Sequence, residues 1–299
     1  MSYKTEILQE FREAARKPIL ESKILMDTTS KETQKTKELN NILKEIKQQF
    51  LERIVPSSFT DEGRQCYLRK ILTVNYASFI LMLEERNKVW GYDYMSFSRR
   101  IGELWEPFCR IIFDNSVSNI KIENAISFDA VKDKMQQDAL AYINLLPIQD
   151  EEKSKLRSLY LKPWEITCSG DISLKLDLHF THDGILHNCD FKSGFSSNEK
   201  GNTNRLLQVG SILNTFSSRS RNILFVRQTE EENNHYLARL RQSDFWEVYC
   251  ADEAYDEMFR LTKFDIQGWI KDNMDWQEDL SPAFVRYLRD KKLMQYLLW

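Results

Sequence analysis

The stretch that decides the fold runs over residues 174–194 and reads LKLDLHFTHDGILHNCDFKSG. Apolar and polar side chains alternate over 174–181 and again over 185–192, which is the period-two pattern of half-buried strands. Between the two runs stand Asp183 and Gly184. Asp-Gly is a preferred pair for a type I′ turn, in which both central residues need positive φ. The stretch therefore predicts a β-hairpin with a two-residue loop.

The turn fixes which residues of the hairpin face each other. If His182 pairs with Ile185, Asp177 lies across from Asp190, and Lys192 projects from the same face. Carboxylates so placed have Cβ atoms about 5 Å apart and repel unless a cation or proton lies between them. Mg²⁺ suits such a pair, and an ammonium group can orient the attacking water or offset developing charge. The residues indicate a metal-dependent phosphodiesterase site; the alternative is a solvated sheet face that carries ordinary Asp and Lys.

Asp177 followed by Asp190-Phe191-Lys192 resembles the bipartite motif of the PD-(D/E)xK nuclease superfamily, most closely that of its type II restriction endonucleases. The family core is a helix, a three-stranded meander, a second helix and a further strand. Residues 96–228 offer matching patterns in that order. The expected elements are a helix over 98–115, strands over 164–168 and from 170, the hairpin, a helix over 203–217 and a strand over 222–227. The resemblance implies an α/β fold with a restriction endonuclease-like core and a mixed sheet.

The resemblance also implies a role for each residue of the site. Asp177 and Asp190 would be catalytic ligands of Mg²⁺, and the backbone carbonyl of Phe191 would be a third ligand. Lys192 would be the cation that activates the attacking water. Glu106, four residues after a glycine in the first predicted helix, resembles the acid that the family's first core helix often adds to the site.

Other acids compete for two of these roles. Pro107 directly follows Glu106 and removes a backbone donor, so Glu103 is the alternative acid of the first helix. Asp171 resembles the Gly-Asp start of the family's second strand and competes with Asp177 as the first acid. The hairpin register favours Asp177.

A polar loop is expected over residues 193–205, directly after Lys192. Its amide and guanidinium groups can pair with base edges in the major groove. The candidate DNA-binding residues in and after this loop are Lys200, Asn202, Asn204, Arg205 and Gln208. Because the net charge is −3, DNA binding would depend on local basic groups rather than on overall charge.

The chain has 299 residues, of which 42% are hydrophobic, enough for one large or two small domains. Helical periodicity predicts a helical N-terminal region over 1–95 and a mainly helical C-terminal region over 229–299 packed on the nuclease core. A strand is possible over 246–250. Five widely spaced cysteines fit neither a zinc site nor a disulfide scaffold. With no long apolar run and no export signal at its start, we expect a cytoplasmic protein without membrane contact.

The expected function is that of a type II site-specific endodeoxyribonuclease, a Mg²⁺-dependent hydrolase that cuts double-stranded DNA and leaves 5′-phosphate ends. The expected assembly is a homodimer, since two-fold symmetry matches a palindromic site. Three alternatives stay open: a repair or recombination nuclease of the same superfamily, a catalytically silent DNA-binding protein with this fold, and a helical interaction protein.

Overall fold

The structure, a computed structural model, describes residues 2–55, 60–166, 172–196, 198–217 and 219–297. Within these ranges the chain forms thirteen α-helices: α1 (Tyr3–Glu21), α2 (Lys23–Met26), α3 (Glu32–Glu52), α4 (Asp61–Val89), α5 (Tyr94–Asp114), α6 (Phe128–Leu145), α7 (Asp150–Ile166), α8 (Lys200–Phe216), α9 (His235–Arg241), α10 (Asp252–Thr262), α11 (Ile266–Asn273), α12 (Trp276–Asp279) and α13 (Pro282–Asp290). The strands found there are β1 (Ile120–Ile122), β2 (Leu178–His182), β3 (Ile185–Lys192), β4 (Ser220–Val226) and β5 (Glu247–Cys250). The protein is therefore α/β and mostly helical.

The chain divides into two compact units. The helical unit comprises Met1–Asn119 and Asp252–Trp299, and the sheet unit comprises Ile120–Ala251. These boundaries differ from the predicted ones at 95/96 and 228/229. Helix α5, predicted to begin the core, belongs to the helical unit. Residues 229–251 belong to the sheet unit because α9 and β5 contribute Leu237, Leu240 and Cys250 to its apolar core. The helices from α10 onward group with the N-terminal helices, not with the sheet.

Helix α5 corresponds to the helix predicted over 98–115 and begins four residues earlier. The side chains of Asp93 and Ser96 form a capping box that satisfies amide groups at its start. The helix continues through Pro107 because the residues around the proline, Leu104, Trp105 and Phe108, are buried. Packing of this apolar stripe offsets the one backbone donor that proline removes. In the part of the chain that the structure describes, no helix combines the length and apolar composition needed to cross a bilayer.

The predicted hairpin and its register are confirmed. Strands β2 and β3 pair antiparallel, with Leu178 opposite Cys189 and His182 opposite Ile185. Asp183 and Gly184 form the turn with φ angles of 50° and 74°, both in the left-handed region that Asp-Gly tolerates. The strand itself is shorter than predicted, because residues 174–177 have no regular secondary structure.

The first strand of the meander is not where the sequence placed it. Residues 164–166 end helix α7, and residues 167–171, which include Asp171, lie outside the described residues. The strand that pairs with β2 is β1, with Ile120 opposite His182. Helices α6 and α7 are therefore inserted between the first two strands. A short apolar run such as 164–168 fits a helix end as well as a strand, and the periodicity could not decide between them.

The sheet has the order β1-β2-β3-β4-β5. The β1–β2 and β2–β3 pairs are antiparallel, whereas β3–β4 and β4–β5 are parallel. Helix α8 makes the connection from β3 to β4. Helices α6, α8 and α9 supply apolar residues to one core with β4, and Leu174 and Leu176 join it from the irregular segment before β2.

The polar face of the hairpin is covered rather than solvated. Asn188 and Asp190 lie beside Asn222 and Leu224 of β4, and Leu224 belongs to the apolar core to which α8 contributes. Asn188 is 1% exposed and Asp190 is 0% exposed. The interpretation of Asp190 as an ordinary carboxylate on a solvated sheet face is therefore wrong. A buried carboxylate needs charged or hydrogen-bonding partners, and for Asp190 these come from the side chains around it.

Candidate active site

Asp190 is the buried centre of a group of charged side chains in the sheet unit. Its Oδ2 lies 2.6 Å from Nζ of Lys192, and its Oδ1 lies 3.7 Å from Nη2 of Arg205. Lys192 comes from the end of β3, and Arg205 comes from the second turn of α8. Strand β3 and helix α8 thus each place one positively charged side chain beside the carboxylate of Asp190.

Asp177 lies next to this group, as the hairpin register predicts. It immediately precedes β2, and its Oδ2 accepts a hydrogen bond of 2.8 Å from the backbone N–H of Phe191. The same Oδ2 is 3.9 Å from Nζ of Lys192. Asp177 therefore continues the hairpin pairing through its side chain, one residue beyond the last backbone pair.

The ammonium group of Lys192 is surrounded by the three oxygens that the sequence predicts as metal ligands. Besides the carboxylates of Asp177 and Asp190, it reaches the backbone carbonyl oxygen of Phe191, to which it donates at 3.1 Å. Two carboxylates and a carbonyl are hard oxygen donors, which Mg²⁺ prefers. The ammonium acts as a stand-in cation among these oxygens, and the donor set fits a divalent metal.

Burial raises the pKa of Asp190 to about 7. This value already includes the opposing effect of the Lys192 ammonium and the smaller raising effect of the neighbouring Asp177 carboxylate. Protonation removes the cost of keeping a negative charge in a low-dielectric site. Near neutral pH the protonation state of the Asp190 carboxyl group therefore depends on which cation lies beside it.

A buried polar network holds the segment that carries Asp177. The backbone N–H of Leu176 donates to Nε2 of His179 at 3.0 Å, so Nδ1 carries the proton of the neutral ring. Nδ1 lies 2.8 Å from Oδ1 of Asn188, and Nδ2 of Asn188 donates to Oδ1 of Asn222 at 2.9 Å. The network ties residue 176 to strands β2, β3 and β4. This role of His179 is not predictable from the sequence, because Asn188 and Asn222 meet it only in the folded sheet.

The predicted DNA-binding loop is partly helical. Helix α8 begins at Lys200, so only residues 193–199 precede it, and residue 197 lies outside the described residues. Lys200, Asn204 and Gln208 are exposed on α8, and the Asn202 amide donates to Glu199 at 2.9 Å. The run of polar side chains reflects a solvated helix start, which composition alone did not separate from a loop. Arg205 differs from the other four because its guanidinium lies beside Asp190.

Three further acids are predicted as a fourth member of the site or as alternatives: Glu106, Glu103 and Asp171. Glu106 is a partly buried residue of α5 in the helical unit, and its membership of the site stays a prediction. Glu103, the alternative, forms ion pairs within the same helix with Arg99 at 2.7 Å and Arg100 at 2.8 Å. Asp171, the alternative first acid, is not among the described residues.

Among the residues with described positions, no group of three or more His, Cys, Asp or Glu side chains is arranged to hold a metal ion. The site above has two such side chains, and its third oxygen comes from the backbone. In comparisons with known proteins, no family model and no curated protein matched this sequence.

Proposed function

We propose that the chain is a Mg²⁺-dependent endodeoxyribonuclease that resembles the type II restriction enzymes of the PD-(D/E)xK superfamily. One observation carries the proposal: the Lys192 ammonium lies among Oδ2 of Asp190, Oδ2 of Asp177 and the carbonyl oxygen of Phe191. These are the four residues of the bipartite motif. Their meeting at one point, where Asp190 is buried and Asp177 and Lys192 are partly exposed, supports a metal-dependent hydrolytic site.

The order of secondary structure supports the same proposal. Helix α5 is followed by the antiparallel strands β1, β2 and β3, then by α8 and the parallel strand β4. This is the order of the family core, with α6 and α7 added between the first two strands. The motif residues lie at the start of β2 and the end of β3, where the family places them.

Each residue of the site would have its own role in phosphodiester hydrolysis. Asp177, Asp190 and the Phe191 carbonyl would hold Mg²⁺, which when bound supplies Lewis acidity and lowers the pKa of a bound water. Lys192 would orient the attacking water and offset charge that develops on the phosphate. Arg205, half-exposed beside Asp190, supplies a second positive group on the same side. Hydrolysis would leave 5′-phosphate ends, and a homodimer would cut both strands of a palindrome.

The experiment is incubation of the purified protein with phage DNA, with and without Mg²⁺. Discrete fragments that need Mg²⁺ support a restriction-type endonuclease, whereas a smear favours a repair or recombination nuclease. DNA that stays intact favours a silent DNA-binding or interaction protein. Asp190→Asn should abolish cutting, and Asp183→Asn is the matched control because Asp183 lies in the same hairpin with a 74% exposed side chain. Cutting that survives Asp190→Asn would exclude this site.

Lys192→Ala separates chemistry from binding. It should reduce turnover strongly while leaving affinity for DNA in Ca²⁺ largely unchanged, because the ammonium acts on the reacting groups rather than on the bases. Equal losses of turnover and affinity would assign Lys192 to DNA binding instead. Light scattering of the free protein and of its complex with DNA tests the proposed homodimer.

A further inference from the structure

One face of helix α3, in the helical unit, carries lysines and amides but no acid. At the spacing of an α-helix, Lys37, Asn40, Asn41, Lys44 and Lys47 fall on the same side of α3, and they are called the basic face below. Lys47 is partly buried, and the other four residues are exposed. The basic face is about 15 Å long, at about 1.5 Å per residue. It therefore offers ammonium groups and side-chain amides together to one partner.

The charge of these lysines is not compensated along the helix. Residues three and four positions apart are neighbours on a helix surface, and no Asp or Glu stands at those distances from Lys37, Lys44 or Lys47. Their neighbours there are Asn, Gln, Thr, apolar residues or another of the lysines. Among the residues whose positions the structure describes, no carboxylate forms an ion pair with any of the three. The basic face therefore has positive charge available for a partner.

Lys47 shows what the lack of acids on this face costs. Burial lowers the pKa of its ammonium group, and the like charge of Lys44 lowers this pKa further. Both effects disfavour the charged form of Lys47, and within the described ranges no neighbouring carboxylate offsets them. An anion bound on the basic face would relieve the repulsion between Lys44 and Lys47.

The opposite side of α3 holds the basic face toward solvent. Leu39, Leu43, Ile46 and Phe50 are buried, and the ring of Phe50 packs on Phe11 of α1 with centroids 4.2 Å apart. An interfacial helix binds a membrane by burying its apolar side among the lipids. Because the apolar side of α3 is already packed within the protein, the basic face suits a hydrophilic polyanion rather than a lipid surface.

We propose that the basic face of α3 binds duplex DNA, with the ammonium groups of Lys37, Lys44 and Lys47 at backbone phosphates. Contacts between lysine and phosphate supply most of the sequence-independent affinity for DNA, and a length of about 15 Å spans about four base pairs at about 3.4 Å each. The amides of Asn40 and Asn41 can pair with adenine edges, which favours DNA over an acidic protein as the partner. The choice of DNA rests on the proposed function, and the basic face adds a DNA-binding surface in the helical unit.

The test is fluorescence anisotropy of a labelled DNA duplex titrated with the full chain in EDTA, at several KCl concentrations. Each phosphate contact contributes about 0.9 to the slope of log affinity against log salt concentration. Replacing Lys37, Lys44 and Lys47 together by Gln should therefore reduce the slope by about 2–3 and weaken binding at low salt about tenfold or more. Replacing the same three residues by Arg should retain the affinity, because guanidinium groups also bind phosphate.

The matched control is a second triple variant with the same loss of charge. Lys17, Lys121 and Lys134 are exposed and lie 3.8, 2.9 and 3.5 Å from a carboxylate. Their joint replacement by Gln should leave the slope and the affinity nearly unchanged. Equal losses in the two Gln variants would mean that only net charge matters, and this result would overturn the proposal. An unchanged slope in the α3 Gln variant would overturn it as well.

Two further outcomes separate the kind of partner from the nuclease activity. If labelled poly-glutamate binds as tightly as the duplex and depends on the same three lysines, the partner is an acidic protein and the proposal is overturned. Duplex binding in EDTA that depends on the basic face supports the proposal even if Mg²⁺ brings no cleavage. Cleavage by an α3 Gln variant with unchanged duplex affinity would overturn the proposal and leave the proposed nuclease activity standing.

Discussion

Nζ of Lys192 lies 2.6 Å from Oδ2 of Asp190, so one end of strand β3 supplies both an acid and its counter-ion. The two residues are separated by a single position and project from the same face of the sheet. The carbonyl of the intervening Phe191 completes the contact, since it accepts from the same ammonium. Three consecutive residues therefore make a cation site whose cation is part of the chain.

The first prediction concerns pH and the stability of the metal-free protein. The pKa of Asp190 is raised to about 7 by burial, whereas an unfolded aspartate titrates near about 3.9. Between these values the folded state holds a proton that the unfolded state releases, so stability should fall as pH rises from about 4 to 7. The slope for this group is at most about 1.4 kcal/mol per pH unit.

The measurement is urea unfolding in EDTA at several pH values. The difference in unfolding free energy between the wild type and Asp190→Asn should shrink or change sign as pH rises through this interval, because asparagine does not titrate. Asp183→Asn is the matched control, because it removes an exposed carboxylate of the same hairpin. If the difference in unfolding free energy between the wild type and Asp190→Asn stays constant from pH 5 to pH 8, the raised pKa of Asp190 is contradicted.

The second prediction concerns competition between Lys192 and a divalent metal. In the metal-free protein, Lys192→Ala leaves the carboxylates of Asp177 and Asp190 without the ammonium, so unfolding free energy should fall by about 1–3 kcal/mol at pH 8. Ca²⁺ should restore this loss and raise the melting temperature of the variant more than that of the wild type, where it must displace the ammonium. Thermal melts with and without Ca²⁺ measure the difference, with exposed Lys200→Ala as the control. Equal Ca²⁺ shifts in variant and wild type would show that metal and ammonium do not share the site.

The hairpin could be predicted because its information is local. Alternation sets the two faces, and Asp183-Gly184 sets the loop length, which together fix the register. The helices over α5 and α8 were also predictable, since each carries an apolar stripe at helical spacing. These features depend only on residues close together in the chain.

The burial of the hairpin's polar face could not be predicted in the same way. The alternation of apolar and polar residues distinguishes the two faces of the hairpin but does not show which elements cover them. Helix α8 covers the polar face, which the sequence pattern suggested was exposed to solvent. The partner of Asn188 is Asn222, which lies 34 residues away on a parallel strand. Strand β1, only three residues long, carries too little periodicity to be found, so the sequence placed the first strand in α7 instead.

The third prediction concerns His179, whose ring accepts a hydrogen bond from the backbone N–H of Leu176, next to Asp177. Replacing His179 by phenylalanine keeps a ring in the sheet but removes the hydrogen-bond partner of the Leu176 backbone N–H and that of the side-chain Oδ1 of Asn188. Unfolding free energy should fall by about 1–3 kcal/mol, and Ca²⁺ affinity should fall with it. The control is Asp177→Asn, which removes one proposed metal ligand and leaves the network intact. A His179→Phe variant that loses stability but binds Ca²⁺ like the wild type would limit His179 to a structural role.

The fourth prediction concerns Arg205, whose Nη1 also donates to the carbonyl of Lys175 at 3.3 Å, two residues before Asp177. Under the proposed function, Arg205→Gln should lower the single-turnover rate about a hundredfold, because a guanidinium beside the reacting phosphate stabilises charge in the transition state. Lys200→Gln should instead weaken DNA affinity and reduce its salt dependence by about one charge, since Lys200 is exposed at the start of α8.

Metal affinity gives Arg205 a test that does not need cleavage. Because Nη2 of Arg205 lies 3.7 Å from Asp190, removing its charge should strengthen Mg²⁺ binding at the two carboxylates. If the main task of Arg205 were to hold residue 175 in place, the same substitution would displace Asp177 and weaken Mg²⁺ binding. The two roles therefore predict opposite changes in Mg²⁺ affinity for Arg205→Gln, which calorimetric titration measures. Tighter Mg²⁺ binding together with slower cleavage would mean that Arg205 acts on the phosphate.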